Sequence, residues 1–84
     1  MYLAKVYVTL KPTVNDPQGL TIAGGLHSLG FSTVKSVRAG KYMEILLDET
    51  DSSAAEAKMQ EMCRKLLANP IIENFRFDLE ERKS

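Results

Sequence analysis

Residue types that commonly act as nucleophiles, acid–base catalysts or metal ligands, such as cysteine and histidine, are scarce in this sequence. Its 84 residues include one cysteine, one histidine and no tryptophan. The cysteine, Cys63, has no partner for an intramolecular disulfide and falls in an apolar helical pattern, which predicts a small buried hydrophobe rather than a reactive thiol. The histidine, His27, has no second metal ligand nearby in the sequence, so we expect a partly buried surface residue.

Net charge is absent as well. Eleven lysines and arginines balance eleven aspartates and glutamates, and neither sign forms a block. Such a chain has no electrostatic field that would attract nucleic acid or an anionic membrane, and neither is expected as a partner. No stretch approaches the roughly 18 apolar residues of a membrane span, and no basic segment precedes an apolar run at the start, so we expect a cytoplasmic location.

Signatures of common active sites are also missing. The sequence has no Walker loop, no GxGxxG stretch, no CxxC pair and no cluster of carboxylates with histidine. The loop after the first predicted strand contains no arginine and only one glycine, unlike the phosphate-gripping loop of acylphosphatase-like enzymes. We therefore expect this chain to supply no catalytic residue, to ligate no metal and to bind no cofactor.

The sequence does contain a regular succession of apolar patterns. Alternation over Tyr2–Leu10 predicts a strand whose core face carries Ala4, Val6, Val8 and Leu10. The other expected elements are a helix from Asp16 to about Leu29, strands over Phe31–Ala39 and Tyr42–Leu47, a helix from about Ser53 to Leu67, and a strand over Ile72–Leu79. This β-α-β-β-α-β order predicts an α+β, ferredoxin-like two-layer sandwich, in which both helices cover one face of a four-stranded antiparallel sheet.

The length of the chain is that of a single domain, which we assign to residues 1–79, with residues 80–84 as a solvated tail. A domain of this size buries only about 60 to 65% of the surface that its unfolded chain exposes. Its stability is therefore expected to be modest unless a partner covers more surface, and self-association is expected.

The first predicted helix has clear ends and an unusual middle. Asp16 can cap its amide groups, Pro17 suits its first position, and Gly30 can supply the left-handed residue that stops it. Gly24 and Gly25 each lower helix stability by up to about 1 kcal/mol relative to alanine, and close packing against the sheet would explain them. The stripes expected to face the core are Ile22, Ala23, Leu26 and Leu29 on this helix, and Ala55, Met59, Met62, Cys63, Leu66 and Leu67 on the second.

The second face of the predicted sheet has a mixed character. Alternation along the strands places on it Leu3, Tyr7, Tyr42 and Leu46, among Lys5, Thr9, Glu44 and Arg76. A partly aromatic and partly charged face is typical of a protein contact, so the first four residues are candidates for a dimer face. RNA-binding domains share the element order, but Glu44 occupies a position where they need a stacking aromatic residue, which argues against that function.

The stretch SVRAGKYMEILLD, residues 36–48, allows two interpretations. In the first, Gly40 adopts a positive φ in a tight hairpin and the flanking cations Arg38 and Lys41 are solvated. In the second, the two cations contact an anion or a carboxylate of a partner. The residues alone leave both interpretations open.

Four segments of the chain resemble, in order and spacing, the PurS family of small subunits of phosphoribosylformylglycinamidine synthase. They are VYVTLKPTVNDPQG, GLHSLGF, VRAGKYMEI and MCRKLLANPIIENF, and the resemblance runs from about Val6 to Phe77. The resemblance implies a role in purine biosynthesis as one of three polypeptides. The glutaminase subunit PurQ releases ammonia, and the synthetase subunit PurL uses it, with ATP and Mg²⁺, to convert formylglycinamide ribonucleotide into the amidine.

For this chain, the resemblance implies a non-catalytic homodimer that joins PurQ to PurL and assists ammonia transfer between them. Matching the recurring family motifs gives these partner-contact candidates: Asp16, Pro17, Gly19, Arg38, Gly40, Lys41 and Glu44. The alternative is a dimeric small-molecule-binding regulatory domain, although such domains place a glycine directly after the first strand, where this chain has Lys11 and Pro12.

Overall fold

The structure, a computed structural model, describes residues 1–83. Its strands are β1 (Tyr2–Leu10), β2 (Gly40–Leu47) and β3 (Glu73–Glu81). Its helices are α1 (Pro17–Ser28) and α2 (Ser52–Met62), and α2 continues into a π-helical turn, Cys63–Leu67. The central strand is β1, and both β2 and β3 pair with it in antiparallel fashion.

The inner face of the sheet and helix α2 form the core. Val6 and Val8 of β1 are 0% and 1% exposed, which confirms the core face predicted for this strand. Met59 of α2 and Cys63 of the π-helical turn pack against this face and are both 0% exposed. Burial raises the pKa of the Cys63 thiol, in keeping with the predicted role of this residue in packing.

The π-helical turn changes which side chains of the second helix are buried. Its backbone closes with a bond from the Ala68 amide to the Cys63 carbonyl oxygen, five residues back, at 3.0 Å. This wider turn shifts the register of the helix, so Leu66, predicted to lie on the buried stripe, is 83% exposed.

The sheet has three strands in the described residues, and the four-stranded prediction is corrected here. The strand expected over Phe31–Ala39 is not formed. It runs back along α1: His27, which is exposed, donates from Nε2 to the Val34 carbonyl oxygen at 2.7 Å. A strand requires a neighbour to pair with, and this segment lies beside a helix.

The prediction that both helices cover one face of the sheet holds for α2 alone. The only buried residue of α1 is Gly19, and Leu29, predicted to face the core, is 75% exposed. A Cβ atom at Gly24 or Gly25 would meet nothing within 4 Å, so these glycines do not serve close packing on the sheet. We call residues 17–38 the arm; it gives the molecule an elongated shape of 49 × 28 × 15 Å.

The observed ends of the helices and strands confirm some of the predicted boundaries and shift others. Gly30 has a φ of 98°, as expected for the residue that stops α1. The last strand is displaced by up to two residues from the predicted Ile72–Leu79, so Glu80 and Glu81, assigned to the tail, pair with β1. The last residue of the predicted tail, 84, lies outside the described residues.

Candidate partner-binding surfaces

The predicted contact residues lie on two surfaces. The first is the Asp16 corner, where β1 leads into the arm and the arm leads into β2; it contains Asp16, Pro17, Gly19, Arg38, Gly40 and Lys41. The second is the outer face of the sheet, the side opposite α2; it contains Leu3, Tyr7, Tyr42, Glu44 and Leu46. Glu44 thus lies apart from the other six partner-contact candidates.

Asp16 ties the two ends of the arm together. It caps α1, accepting at Oδ1 from the Gly19 amide at 2.9 Å, and accepts at Oδ2 from the Ala39 amide at 2.7 Å. These two bonds, first that from Gly19, and the nearby Arg38 guanidinium lower the pKa of the Asp16 carboxyl group. Asp16 is 5% exposed and both of its oxygens are engaged, so its role in the isolated chain is to hold the corner.

Two glycines allow the corner to close. A Cβ atom at Gly19 would collide with the carbonyl oxygen of Val37. A Cβ atom at Gly40 would lie 2.5 Å from the carbonyl oxygen of Val8 and 3.0 Å from Cγ2 of Thr9. The hairpin interpretation of Gly40 is therefore wrong: among the described residues only Gly30 has a positive φ, and Gly40 is needed because its backbone packs closely on β1.

The two cations of the corner differ in how closely they are already bound to other groups of the chain. Arg38 donates from Nη2 to the carbonyl oxygens of Lys11 and Val14, at 2.9 and 2.8 Å, and so fastens the loop between β1 and α1. Lys41 is 3.8 Å from a Glu73 carboxylate oxygen, and its side chain is 64% exposed. Lys41 is thus the cation of this corner that is more available to a partner.

Aromatic and charged side chains combine on the outer face. The rings of Tyr7 and Tyr42 lie 5.1 Å apart at 45°, and Cζ of Arg76 lies 3.9 Å from the centre of the Tyr7 ring. The Tyr42 hydroxyl donates to Glu44 at 2.8 Å, which, with some burial, raises the pKa of Tyr42 to about 12. The stacking of Arg76 depends on the strand register, which sequence alternation alone does not define.

The four dimer-face candidates differ in how far their side chains are exposed to solvent. Tyr42 and Leu46 are 49% and 60% exposed, and Tyr7 is half-buried beneath Arg76. Leu3 is only 8% exposed, because the central strand is shielded by its neighbours on both sides. The face offers Tyr42 and Leu46 to a partner, beside the salt bridge between Lys5 and Glu80, 3.2 Å long.

A third surface was missed by the sequence analysis. Helix α2 contacts β1 and β3 more than β2, so Ile45 on the inner side of β2 is only half-buried. The result is an apolar groove of about 490 Å³, which we call the α2 groove; it is lined by Ile45, Lys58, Glu61, Met62, Lys65, Leu66 and Leu67. The spacing of Met62, Leu66 and Leu67 predicted burial, but no pattern in the chain indicated that α2 would sit to one side of the sheet.

The described residues, 1–83, contain no group of three or more His, Cys, Asp and Glu side chains that could hold a metal ion. No helix in this part of the chain combines the length and apolar character needed to cross a membrane. Chemically, the surfaces described above can present apolar area, hydrogen bonds and a cation to a partner.

Comparison with known proteins gives one consistent family. The model of the family PurS, described as phosphoribosylformylglycinamidine (FGAM) synthase, matches residues 3–81. The phosphoribosylformylglycinamidine synthase subunit PurS of Bacillus subtilis is 47% identical over 81 residues, which are 96% of this chain and 95% of that protein.

Solved structures agree with the sequence comparison. PurS of Methanocaldococcus jannaschii, one of the subunits of formylglycinamide ribonucleotide amidotransferase, superposes with a TM-score of 0.88 at 38% identity, covering 99% of this chain and 100% of that one. A chain from PurLQS of Thermotoga maritima superposes with a TM-score of 0.83 at 25% identity, covering 95% and 99%.

Proposed function

This chain belongs to the PurS family, the small subunits of FGAM synthase in purine biosynthesis, and we propose that it acts there as a non-catalytic bridge between two enzyme subunits. The observation that carries the proposal is the likeness over the whole chain to PurS proteins, one of them a component of PurLQS. The proposed partners are accordingly a glutaminase, PurQ, a synthetase, PurL, and a further copy of this chain.

The surfaces of the chain suit a bridging function. The Asp16 corner, the outer face and the α2 groove are separate, and each presents side chains that a partner could cover. Because Asp16 and Arg38 each make two hydrogen bonds to backbone atoms, the corner is a pre-organised contact surface. A rigid small subunit that binds two larger ones can fix the orientation of one relative to the other.

Fixing that orientation serves the transfer of ammonia. Ammonia released by glutamine hydrolysis is neutral only while unprotonated, and it is lost if the path between two active sites opens to water. Holding the glutaminase face to face with the synthetase raises the effective concentration of ammonia at the second site without any bond being made by this chain. The ATP and Mg²⁺ of the reaction would be used by the synthetase subunit.

Within this proposal, the partner-contact candidates fall into two groups. Asp16, Gly19 and Gly40 define the shape of the corner, and a partner would sense them through that shape. The side chains of Pro17, Arg38 and Lys41 are exposed and would make contacts directly, while Glu44 would act together with Tyr42 on the outer face.

Reconstitution tests the proposal. The purified chain is mixed with the glutaminase and synthetase subunits from the same source, and co-elution and amidine formation are measured with either glutamine or ammonium chloride as the nitrogen donor. We expect that omission of this chain abolishes co-elution and glutamine-dependent activity but leaves ammonia-dependent activity nearly unchanged. Unchanged glutamine-dependent activity without the chain would contradict the bridging function, and binding of a small metabolite without co-elution would favour the regulatory-domain alternative.

A further inference from the structure

The turn that leads into β3 exposes apolar side chains. It comprises residues 69–73, and we call it the isoleucine turn; no partner contact was predicted in it from the sequence. Ile71 and Ile72 are 81% and 39% exposed, and the adjoining Pro70 is exposed as well. A single exposed apolar residue is common on protein surfaces, whereas a contiguous group marks a surface that binds another molecule.

Four hydrogen bonds hold the isoleucine turn in one conformation. The carbonyl oxygen of Asn69 accepts from the amides of Ile72 and Glu73, at 3.1 and 2.7 Å, and its side-chain oxygen accepts from the Ile71 amide at 3.1 Å. In return, Oε1 of Glu73 accepts from the Asn69 amide at 2.7 Å. The Ile71 side chain is therefore displayed by an ordered backbone, and a partner that binds it does not have to order a flexible loop.

Lysine and arginine residues border the isoleucine turn on two sides. The Ile72 carbonyl oxygen accepts from the Lys11 amide at 2.8 Å, and the Lys11 carbonyl oxygen in turn accepts from Arg38. On the other side, Lys41 lies 3.8 Å from Oε2 of Glu73, the residue that closes the turn. Three cationic residues thus adjoin the two isoleucines at one end of the molecule.

The exposed charge at this end is positive, because the nearby carboxylates are internal. Asp16 is 5% exposed and binds backbone amides with both oxygens, and the Glu73 side chain is 13% exposed. Arg38 and Lys41 are exposed, the side chain of the latter at 64%. Although the whole chain has no net charge, cations around an apolar centre favour a partner surface that carries carboxylates.

Two other occupants suit this end less well. A contact about a two-fold axis with the same end of a second copy would place cations opposite cations, and like charges brought together across an interface repel. A small free anion would pair with the cations but would leave Ile71 and Ile72 in water. An acidic protein surface with an apolar pocket satisfies both features.

We propose that the isoleucine turn binds one of the two larger subunits, with Ile71 inserted into an apolar pocket that carboxylates surround; this inference rests on the bridging function proposed above. Lys11 and Lys41 would meet those carboxylates at the margin of the contact. In protein interfaces a few central, well-packed residues supply most of the binding energy, while charged residues at the margin speed association and select the partner. The outer face and the α2 groove remain available for the other contacts of the chain.

Titration of the reconstituted enzyme tests this contact. Increasing amounts of the chain are added to a fixed mixture of glutaminase and synthetase, and the concentration that gives half-maximal glutamine-dependent amidine formation is measured. We expect Ile71→Asp to raise this concentration at least about 30-fold and Ile71→Leu to change it less than about 2-fold. Lys41→Gln should raise it about 2- to 5-fold at low ionic strength. Lys83→Gln, at an exposed lysine beyond the far end of β3, is the control and should have no effect.

The outcomes separate this inference from the bridging function. If the unmodified chain fails to stimulate glutamine-dependent activity, both fall. If it stimulates and Ile71→Asp needs the same concentration, the isoleucine turn is not the contact and the bridging function stands. Ile71 is 81% exposed, so Ile71→Asp should keep the melting temperature and the self-association of the unmodified chain, measured by sedimentation equilibrium. Weaker self-association of this variant would overturn the proposal in favour of a second copy as the occupant.

Carbodiimide coupling tests the chemistry of the partner. This reagent joins a lysine amine to a carboxylate in direct contact with it, with loss of water and without a spacer. Besides coupling to Glu73 of its own chain, we expect Lys41, or Lys11, to form an amide bond with an aspartate or glutamate of the glutaminase or the synthetase. Peptide mapping identifies the bond and the subunit, and Ile71→Asp should abolish it. Coupling of these lysines to neither larger subunit, or only to a second copy of the chain, would overturn the proposal.

Discussion

The body of the molecule, which consists of the three strands and α2 with its π-helical turn, and the arm both carry periodic apolar residues but have opposite surroundings. In the body, Val6 and Met59 are both 0% exposed, whereas in the arm Leu20 and Leu29 are 64% and 75% exposed. Both regions show the periodicity that marks one side of an element for burial. The comparison shows that periodicity identifies the side to be buried and leaves open which molecule covers it.

The strongest way to test the comparison is to remove volume from the body. Met59→Ala deletes a fully buried side chain that packs between α2 and the sheet, and it should lower the free energy of unfolding by about 2 to 5 kcal/mol, measured by urea denaturation. Leu46→Ala on the exposed outer face is the matched control, with an expected change within about 0.5 kcal/mol. An effect of Met59→Ala no larger than that of Leu46→Ala would contradict the placement of Met59 in the core.

A glycine at the junction of body and arm gives the next largest expected effect. Gly19→Ala places a Cβ against the carbonyl oxygen of Val37, so the return segment must move, and we expect a loss of about 1 to 3 kcal/mol in the free energy of unfolding. Gly24→Ala, where a Cβ meets open space, should instead stabilise the isolated chain by about 0.5 to 1 kcal/mol, since alanine favours the helix. Both values follow from chemical denaturation at a concentration at which the chain is monomeric. Destabilisation by Gly24→Ala would show that α1 is packed there.

The contribution of the Asp16 carboxylate to the free energy of unfolding should depend on pH. The folded state lowers the pKa of the Asp16 carboxyl group below the ordinary value of about 3.9, so its contribution is fully present above that value. It is lost as the pH falls through the lower pKa of the folded state. Asp16→Asn can still accept from Gly19 but loses the bond from the Ala39 amide, so its melting temperature should be lower than that of the unmodified chain at pH 7. We expect the difference to shrink when thermal unfolding is followed below about pH 4; a difference that grows there would contradict this role.

The smallest expected effects on stability separate the two cations of the corner. Arg38→Ala loses two bonds to the loop carbonyls and should lower the free energy of unfolding by about 1 kcal/mol. Lys41→Ala removes only a long ion pair, 3.8 Å, of a side chain that is 64% exposed, and it should leave the free energy of unfolding within about 0.5 kcal/mol of that of the unmodified chain. In the reconstituted enzyme, we expect the double substitution to weaken co-elution with the glutaminase and synthetase. Unchanged complex size and glutamine-dependent activity would exclude the corner as a contact surface.

Local features of the chain were predicted correctly where neighbouring residues decide them. The cap at Asp16, the stop at Gly30 and the core face of β1 follow from side-chain chemistry within a few positions. The predicted placement of Glu44 on the outer face is likewise correct, since Met43 and Ile45 on either side of it pack against the core. Family membership rests on motifs spread from Val6 to Phe75, and the family model over residues 3–81 agrees with it.

The candidate site was less predictable, because its residues act through contacts that are distant in sequence. Asp16 and Arg38 were singled out as contacts for partners, and the structure engages them with Ala39 and the loop carbonyls. Gly40 was assigned to a hairpin, and its actual constraint is the approach of its backbone to Val8. Each of these contacts depends on the direction in which the arm leaves the body. The periodicity of apolar residues does not indicate that direction.

The sequence by itself determined the approximate positions of three strands and two helices, the buried side of β1, and the family to which the chain belongs. Only the tertiary structure decided that Phe31–Ala39 runs along α1 rather than pairing in the sheet, that α2 sits to one side, and that an apolar groove remains beside β2. The physical reason is that apolar patterning is a local property of a chain, while strand pairing and helix docking are long-range choices.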